Sequence, residues 1–166
     1  MKTIYLNHDY STLVDDEDFN SLNQWKWIAK ESRGGNIYAV RHETINGKCK
    51  AIKMHRVIMN TPSNLQCDHV FHNTLDNRKF IEVDGELKVN LRNCTNAQNQ
   101  MNGTKRINRK YKGVYYTAHW KSIVAKICIN KKLIHLGTFA TEKEAAIAYN
   151  IAATKYFGEF ANLNII

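Results

Sequence analysis

Apolar and polar side chains alternate along residues 123–129, with Ile123, Ala125, Ile127 and Ile129 on one face and Val124, Lys126 and Cys128 on the other. A period of two predicts a strand with one face in a core. Further strands are predicted near Gly113–Tyr116 and Leu133–Leu136, the last joined to its neighbour by a turn at Asn130–Lys132. After them Thr141 and Glu144 have capping-box spacing. The helix they open carries Ala145, Ala148, Tyr149, Ala152 and Tyr156 on one stripe and stops at Gly158. Small alanines permit close approach, so the pattern predicts a three-stranded sheet packed on one helix, with the face bearing Lys126 open to a ligand.

The earlier part of the chain has shorter signals. Ile4–Leu6 reads as extended, and the acidic run Asp15, Asp16, Glu17 and Asp18 predicts a helix start, since acids in a first turn complement its positive end. Trp25, Trp27 and Ile28, then Ile37, Tyr38 and Val40, flank Gly34 and Gly35 as two strands around a turn. Met54, Val57 and Ile58 predict a short amphipathic helix that Pro62 prevents from continuing. In FIEVDGELKV two alternating runs flank Asp84 and Gly85, a pair suited to a type I′ turn, so residues 80–89 read as an inserted hairpin. Thr95 and Gln98 also have capping-box spacing, which starts a helix at Asn96 and puts Asn99 in its first turn.

The 166 residues suit one or two small domains, and the aromatic content argues against disorder throughout. No apolar run approaches a membrane span and no secretory leader is evident, so no membrane partner and a cytoplasmic location are expected. Cys49, Cys67, Cys94 and Cys128 form no CxxC pair, so free thiols and no structural zinc are expected. Charge is uneven. Residues 1–66 hold 9 basic and 7 acidic side chains, 67–102 hold 4 and 5, and 103–166 hold 11 and 3. Between Gly103 and Thr141 there is no Asp or Glu, while Lys105, Arg106, Arg109, Lys110, Lys112, Lys121, Lys126, Lys131 and Lys132 fall there. A patch of one sign favours a polyanion, because binding nucleic acid releases its condensed counterions.

The candidate chemistry lies in the middle. An imidazole such as His69 can deprotonate a water, and oxygen donors such as Asp68 and Asn99 suit a divalent ion that stabilises a departing 3′ oxygen, together the needs of phosphodiester hydrolysis. The runs MHRVIM, CDHVFHNTLDNR and NLRNCTNAQNQMN resemble the HNH endonucleases of phages and mobile introns. That resemblance implies a ββα-metal fold, with His69 as general base, Asp68 and Asn99 as metal ligands and Asn90 as the residue that pins the loop and orients His69. It gives Asn77 and Arg78 supporting places, with Arg78 a phosphate contact, and makes His55 part of an HR pair with a structural role. Magnesium is the expected ion, with manganese as substitute. Phe71 and His72 depart from the pattern, standing where relatives usually have a small polar residue and glycine, and the hairpin lengthens the path from the DH pair to NLR.

The runs YKGVYY, AKICINKKLIHLGTF and TEKEAAIAYNIAATKYFGEFANLN are similar to the APETALA-class DNA-binding domain of ethylene-response factors. The resemblance implies a sheet laid in the major groove of double-stranded DNA. It carries Lys112 onto a DNA-contacting position and puts Lys126, Lys132 and His135 on the outward face; from the basic stretch, Lys131, Arg106 and Arg109 are expected as further contacts. Trp120 stands three residues before the tryptophan position of that pattern, and Cys128 and Leu133 replace arginines. The expected class is therefore α+β: residues 1–102 a nuclease domain with an N-terminal extension and a core at 53–102, 103–109 a basic linker, and 110–166 a DNA-binding domain, acting as a monomer. Two functions fit, a metal-dependent DNA endonuclease and a non-catalytic DNA-binding regulator on a decayed scaffold. An RNA-binding module is disfavoured, because the sheet lacks an array of exposed aromatics.

Overall fold

The structure, a computed structural model, describes residues 1–105, 108–117, 119 and 121–166; Arg106 and Trp120 lie outside the described residues. The chain is mixed α+β, and its contacts divide it into two units, residues 1–95 and 96–166.

In the first unit, β1 (Lys2–Tyr5) and β2 (Ser11–Val14) form an antiparallel hairpin followed by α1 (Asp16–Asn23). The antiparallel strands β3 (Ile28–Glu31), β4 (Ile37–Ile45) and β5 (Lys48–Lys53) make a three-stranded sheet and lead into the short α2 (Met54–Ile58). The tryptophans precede β3 instead of lying in it. Trp27 is buried and donates its indole N–H to Leu22 O at 2.8 Å, so it serves the core with Ile4, Val14, Leu22, Ala39 and Met54. The Arg41 guanidinium lies 4.2 Å from the centre of the half-exposed Trp25 ring.

Strand β6 (Gln66–His69) pairs antiparallel with β9 (Leu91–Cys94), and between them β7 (Phe80–Val83) and β8 (Glu86–Val89) form a separate hairpin. Asp84 and Gly85 have φ of 54° and 76°, the two left-handed residues that a type I′ turn needs. The base of the insertion is fastened by the acidic run at the start of α1. Lys79 N donates to Asp15 Oδ2 at 2.8 Å, and Lys79 Nζ pairs with Glu17 at 2.6 Å and Asp18 at 3.0 Å. These acids therefore do more than complement a helix end.

The second unit begins with α3 (Asn96–Asn102), earlier in the chain than a break after Asn102 would put it. Met101 packs on the cluster of Ile127, Tyr149, Ala152, Ala153 and Phe157, and Asn162 Nδ2 donates to Asn102 O at 3.0 Å, which ties α3 to this unit. Strands β10 (Val114–Thr117), β11 (Ser122–Ile129) and β12 (Lys132–Phe139) form an antiparallel sheet backed by α4 (Glu142–Phe157). The capping box is formed: Thr141 Oγ1 accepts from Glu144 N at 3.2 Å while the Glu144 carboxylate accepts from Thr141 N at 3.2 Å. The stripe on α4 differs from the expected one. Ala145, Ala146, Tyr149, Ala152, Ala153 and Phe157 are buried, whereas Tyr156 is half exposed. Ala146, Tyr149, Ala153 and Phe157 recur at spacings of three and four, so the buried stripe ends on Phe157 and turns Tyr156 outward.

Candidate active site

Strand β6 ends on the two residues of interest, and its register decides their neighbours. Asp68 lies opposite Arg92 and His69 opposite Leu91. Asp68 is buried, and Arg92 Nη2 and Nε donate to its Oδ2 at 2.9 and 3.1 Å. Removing one partner of a pair this enclosed is strongly destabilising, because it strands a charge.

His69 is 5% exposed, and its Nε2 lies 3.2 Å from Asn77 Oδ1. Burial holds its pKa below the ordinary histidine value; the Asn77 hydrogen bond and the Asp68 and Asp76 carboxylates push the other way without cancelling this. A neutral imidazole is the form that accepts a proton. The His55 ring meets the His69 ring edge to face at 4.8 Å, and Tyr38 lies 5.4 Å from His55 and 6.2 Å from His69, centroid to centroid. Burial, then the charge of His69, pushes His55 down to about 2, so it stays neutral at any working pH. Lys53 Nζ lies 4.1 Å from the Tyr38 ring centre, half-buried and with its pKa lowered by burial and by Arg56. Burial pushes the neighbouring Cys67 thiol up to about 11, which argues against a thiolate nucleophile.

The loop from Val70 to Lys79 is tied down residue by residue. Asn90 Nδ2 donates to Asp76 O at 2.9 Å and Arg78 O at 2.8 Å, while Asn90 O accepts from Val70 N at 2.8 Å. Asn90 thus links the residue after His69 to the far end of the loop. Its own Oδ1 is buried and has no partner among the described residues. Asp76 takes Arg78 Nε at 2.8 Å and Nη2 on its second oxygen, so the Arg78 guanidinium is already engaged. His72, exposed, closes a turn onto His69 O at 3.0 Å with φ of 62°. The backbone there adopts the left-handed conformation that glycine would supply. Asn99 lies half-buried on α3 in the second unit. Among the described residues, no three His, Cys, Asp or Glu side chains converge as metal ligands. All four cysteines are free thiols.

In the second unit, Lys126 and His135 are register partners on one face, beside the exposed pair Cys128 and Leu133. The Arg109 guanidinium stacks 4.0 Å from the Tyr115 ring centre, with Lys126 Nζ 5.8 Å away on the same ring. Lys131 is exposed in the turn at φ of 65°. Two lysines are not where the sequence put them. Lys132 opposes Ile129 and so shares the face of Ile127 and Ile134, opposite to Lys126 and His135. Lys112 is turned toward α3: its Nζ donates to Met101 O, burial lowers its pKa to about 8, and it lines a cavity of about 600 Å³ with Gln100, Tyr149 and Phe157.

Sequence reasoning missed Thr12, Tyr38, Lys53 and Arg92. Arg92 was findable, since pairing the DH strand antiparallel with NLR puts an arginine against Asp68; the others carry no motif.

No family model matches the chain. It is 31% identical over 156 residues to an uncharacterized HNH endonuclease of Acanthamoeba polyphaga mimivirus, covering 89% of this chain and 74% of the relative. It is also 46% identical over 52 residues to an AP2-like ethylene-responsive transcription factor of Arabidopsis thaliana, 30% of this chain and 15% of that protein. The ethylene-responsive transcription factor WRI1 of the same plant matches at 38% over 68 residues, 39% of this chain and 16% of its own length. No described helix is long and apolar enough to cross a membrane. With nearly all of its length aligned to three quarters of the viral protein, the chain belongs to the HNH endonuclease family.

Proposed function

We propose that this protein is a metal-dependent DNA endonuclease, with its catalytic residues on β6 and β9 of the first unit and a DNA-binding second unit. The observation that carries the reading is His69: a buried imidazole, depressed in pKa and hydrogen-bonded to Asn77, beside the Asp68 carboxylate. A scaffold kept only for binding DNA has no need of a neutral base held in this way.

His69 takes a proton from the attacking water, and Asn90 keeps the loop that carries Asn77 in place. Asp68 would hold the ion, and as a hard oxygen donor it suits magnesium or manganese, which retain several waters. When bound, the ion supplies charge stabilisation to the departing 3′ oxygen. Arg92 orients the Asp68 carboxylate. Lys53 adds positive charge near His69, of the sign that attracts a phosphodiester. On the second unit, Arg109, Lys126, Lys131 and His135 face the DNA, supported by the excess of basic over acidic residues at 103–166 and by the similarity to plant transcription factors.

The test is incubation of the purified chain with supercoiled plasmid and magnesium, with and without chelator. Divalent-dependent cleavage is expected, abolished by chelator and by His69→Ala, which should retain DNA affinity. Binding without cleavage under any divalent ion would instead support a regulator.

A further inference from the structure

We propose that Thr12, on β2 and far in sequence from the site, sets the tautomer of His69 through Asn77, leaving Nδ1 as the nitrogen that receives a proton. The consequence for catalysis rests on the nuclease reading; the tautomer itself does not.

The direction of the relay follows from its far end. The Leu75 carbonyl can only accept, and Thr12 Oγ1 lies 2.7 Å from it. Thr12 has one hydroxyl hydrogen, which this bond uses. Toward Asn77, also at 2.7 Å, Oγ1 therefore accepts, and Asn77 must present Nδ2 to it. The carboxamide oxygen then faces His69 Nε2 at 3.2 Å, and because that oxygen has no hydrogen, Nε2 must carry one. A neutral imidazole has a single N–H, so Nδ1 holds the lone pair.

The reverse order fails on energy. If Thr12 donated to Asn77 instead, two oxygens, Thr12 Oγ1 and Leu75 O, would face each other at 2.7 Å with no hydrogen between them. Water cannot repair a broken link, since Thr12 is 1% and Asn77 0% exposed. The two segments are also registered by backbone bonds, Leu13 N to Leu75 O at 3.0 Å and Asn77 N to Leu13 O at 2.8 Å. Thr12 and Asn77 are thus positioning residues, and β2 belongs to the site.

The experiment is long-range ¹H–¹⁵N correlation of His69 in the full chain with ¹⁵N-labelled histidine, at neutral pH without DNA or metal, combined with cleavage rates. The parent chain should show a protonated Nε2 and an unprotonated Nδ1. Thr12→Val should give mixed tautomers and cleave roughly tenfold more slowly, about the effect of one weakened hydrogen bond on a barrier, and Thr12→Ser should restore both. A protonated Nδ1 in the parent chain overturns the proposal, as does an unchanged spectrum in folded Thr12→Val. Should Thr12→Val not fold, the parent and Thr12→Ser spectra decide, the Nε2–H form in both supporting the relay and Nδ1–H in either refuting it. If the tautomer behaves as proposed but the parent chain does not cut DNA, the relay stands and the nuclease reading fails.

Discussion

The imidazole rings of His55 and His69 meet edge to face, their centroids 4.8 Å apart and their planes inclined by 75°. Burial first, then the charge of His69, then Lys53 and Arg56, disfavour the charged form of His55. The folded chain therefore keeps His55 neutral down to about pH 2, whereas the unfolded chain protonates it near 6.5. Because the folded pKa is the lower one, its contribution to stability is present above about pH 6.5 and is lost as pH falls. We expect roughly 2–3 kcal/mol of stability to disappear between about pH 6.5 and 4.5 on this account. His55→Phe, which keeps a ring but cannot titrate, should flatten the profile of urea midpoint against pH; an identical slope in both proteins would refute the assignment.

Asn90 holds two loop carbonyls, those of Asp76 and Arg78. Asn90→Ala leaves Asp76 O and Arg78 O short of a donor, and each buried unmet group costs about 1–3 kcal/mol. A loss of about 2–4 kcal/mol is expected by denaturant titration, together with a fall in cleavage rate, since the same loop carries Asn77. Retained stability with lost cleavage would instead mean that Asn90 acts on the reaction directly.

What could be read from the chain depended on whether an element's partners lie near it in sequence. The alternation at residues 123–129, the Asp84–Gly85 turn and the Thr141–Glu144 box are local patterns, and each corresponds to an observed strand, hairpin or cap. Strand β2 gave no such signal. Its four residues are short and mixed, and the segment it aligns with, around Leu75 and Asn77, is more than sixty positions away. Strand β5 was hidden by its lysines, which suit an exposed edge but read as loop. The DH and NLR motifs named Asp68, His69 and Asn90, yet a threonine that orients an asparagine that orients a histidine has no spacing to announce it.

Two glycines in left-handed backbone give a graded test of packing. Gly85 has φ of 76° and nothing near the position of an added Cβ, so Gly85→Ala should cost only the strain of that conformation, about 1 kcal/mol. Gly113 has φ of 77°, and a Cβ there would overlap the Tyr149 ring, itself buried in the cluster with Ile127 and Phe157. Gly113→Ala should therefore cost about 3 kcal/mol or more and unfold the second unit at lower temperature. Equal shifts in melting temperature for the two variants would contradict the close approach of Tyr149.

Lys112 and Lys126 are both cationic residues of the second unit, but they should behave differently toward DNA. Each cation that neutralises a phosphate steepens the fall of log affinity with log salt by about 0.9. Lys126 sits on the sheet face with His135 and beside Tyr115, so Lys126→Ala should weaken binding and reduce the slope by about one. The Lys112 ammonium is spent on Met101 O, and burial weakens its hold on the proton. Lys112→Met should therefore leave the slope nearly unchanged while lowering the stability of the second unit, because α3 loses its tie to β10. Fluorescence anisotropy of a labelled duplex across a salt series separates the two: a unit change of slope from Lys112→Met and none from Lys126→Ala would mean that the DNA lies on the α3 side and not on the open sheet.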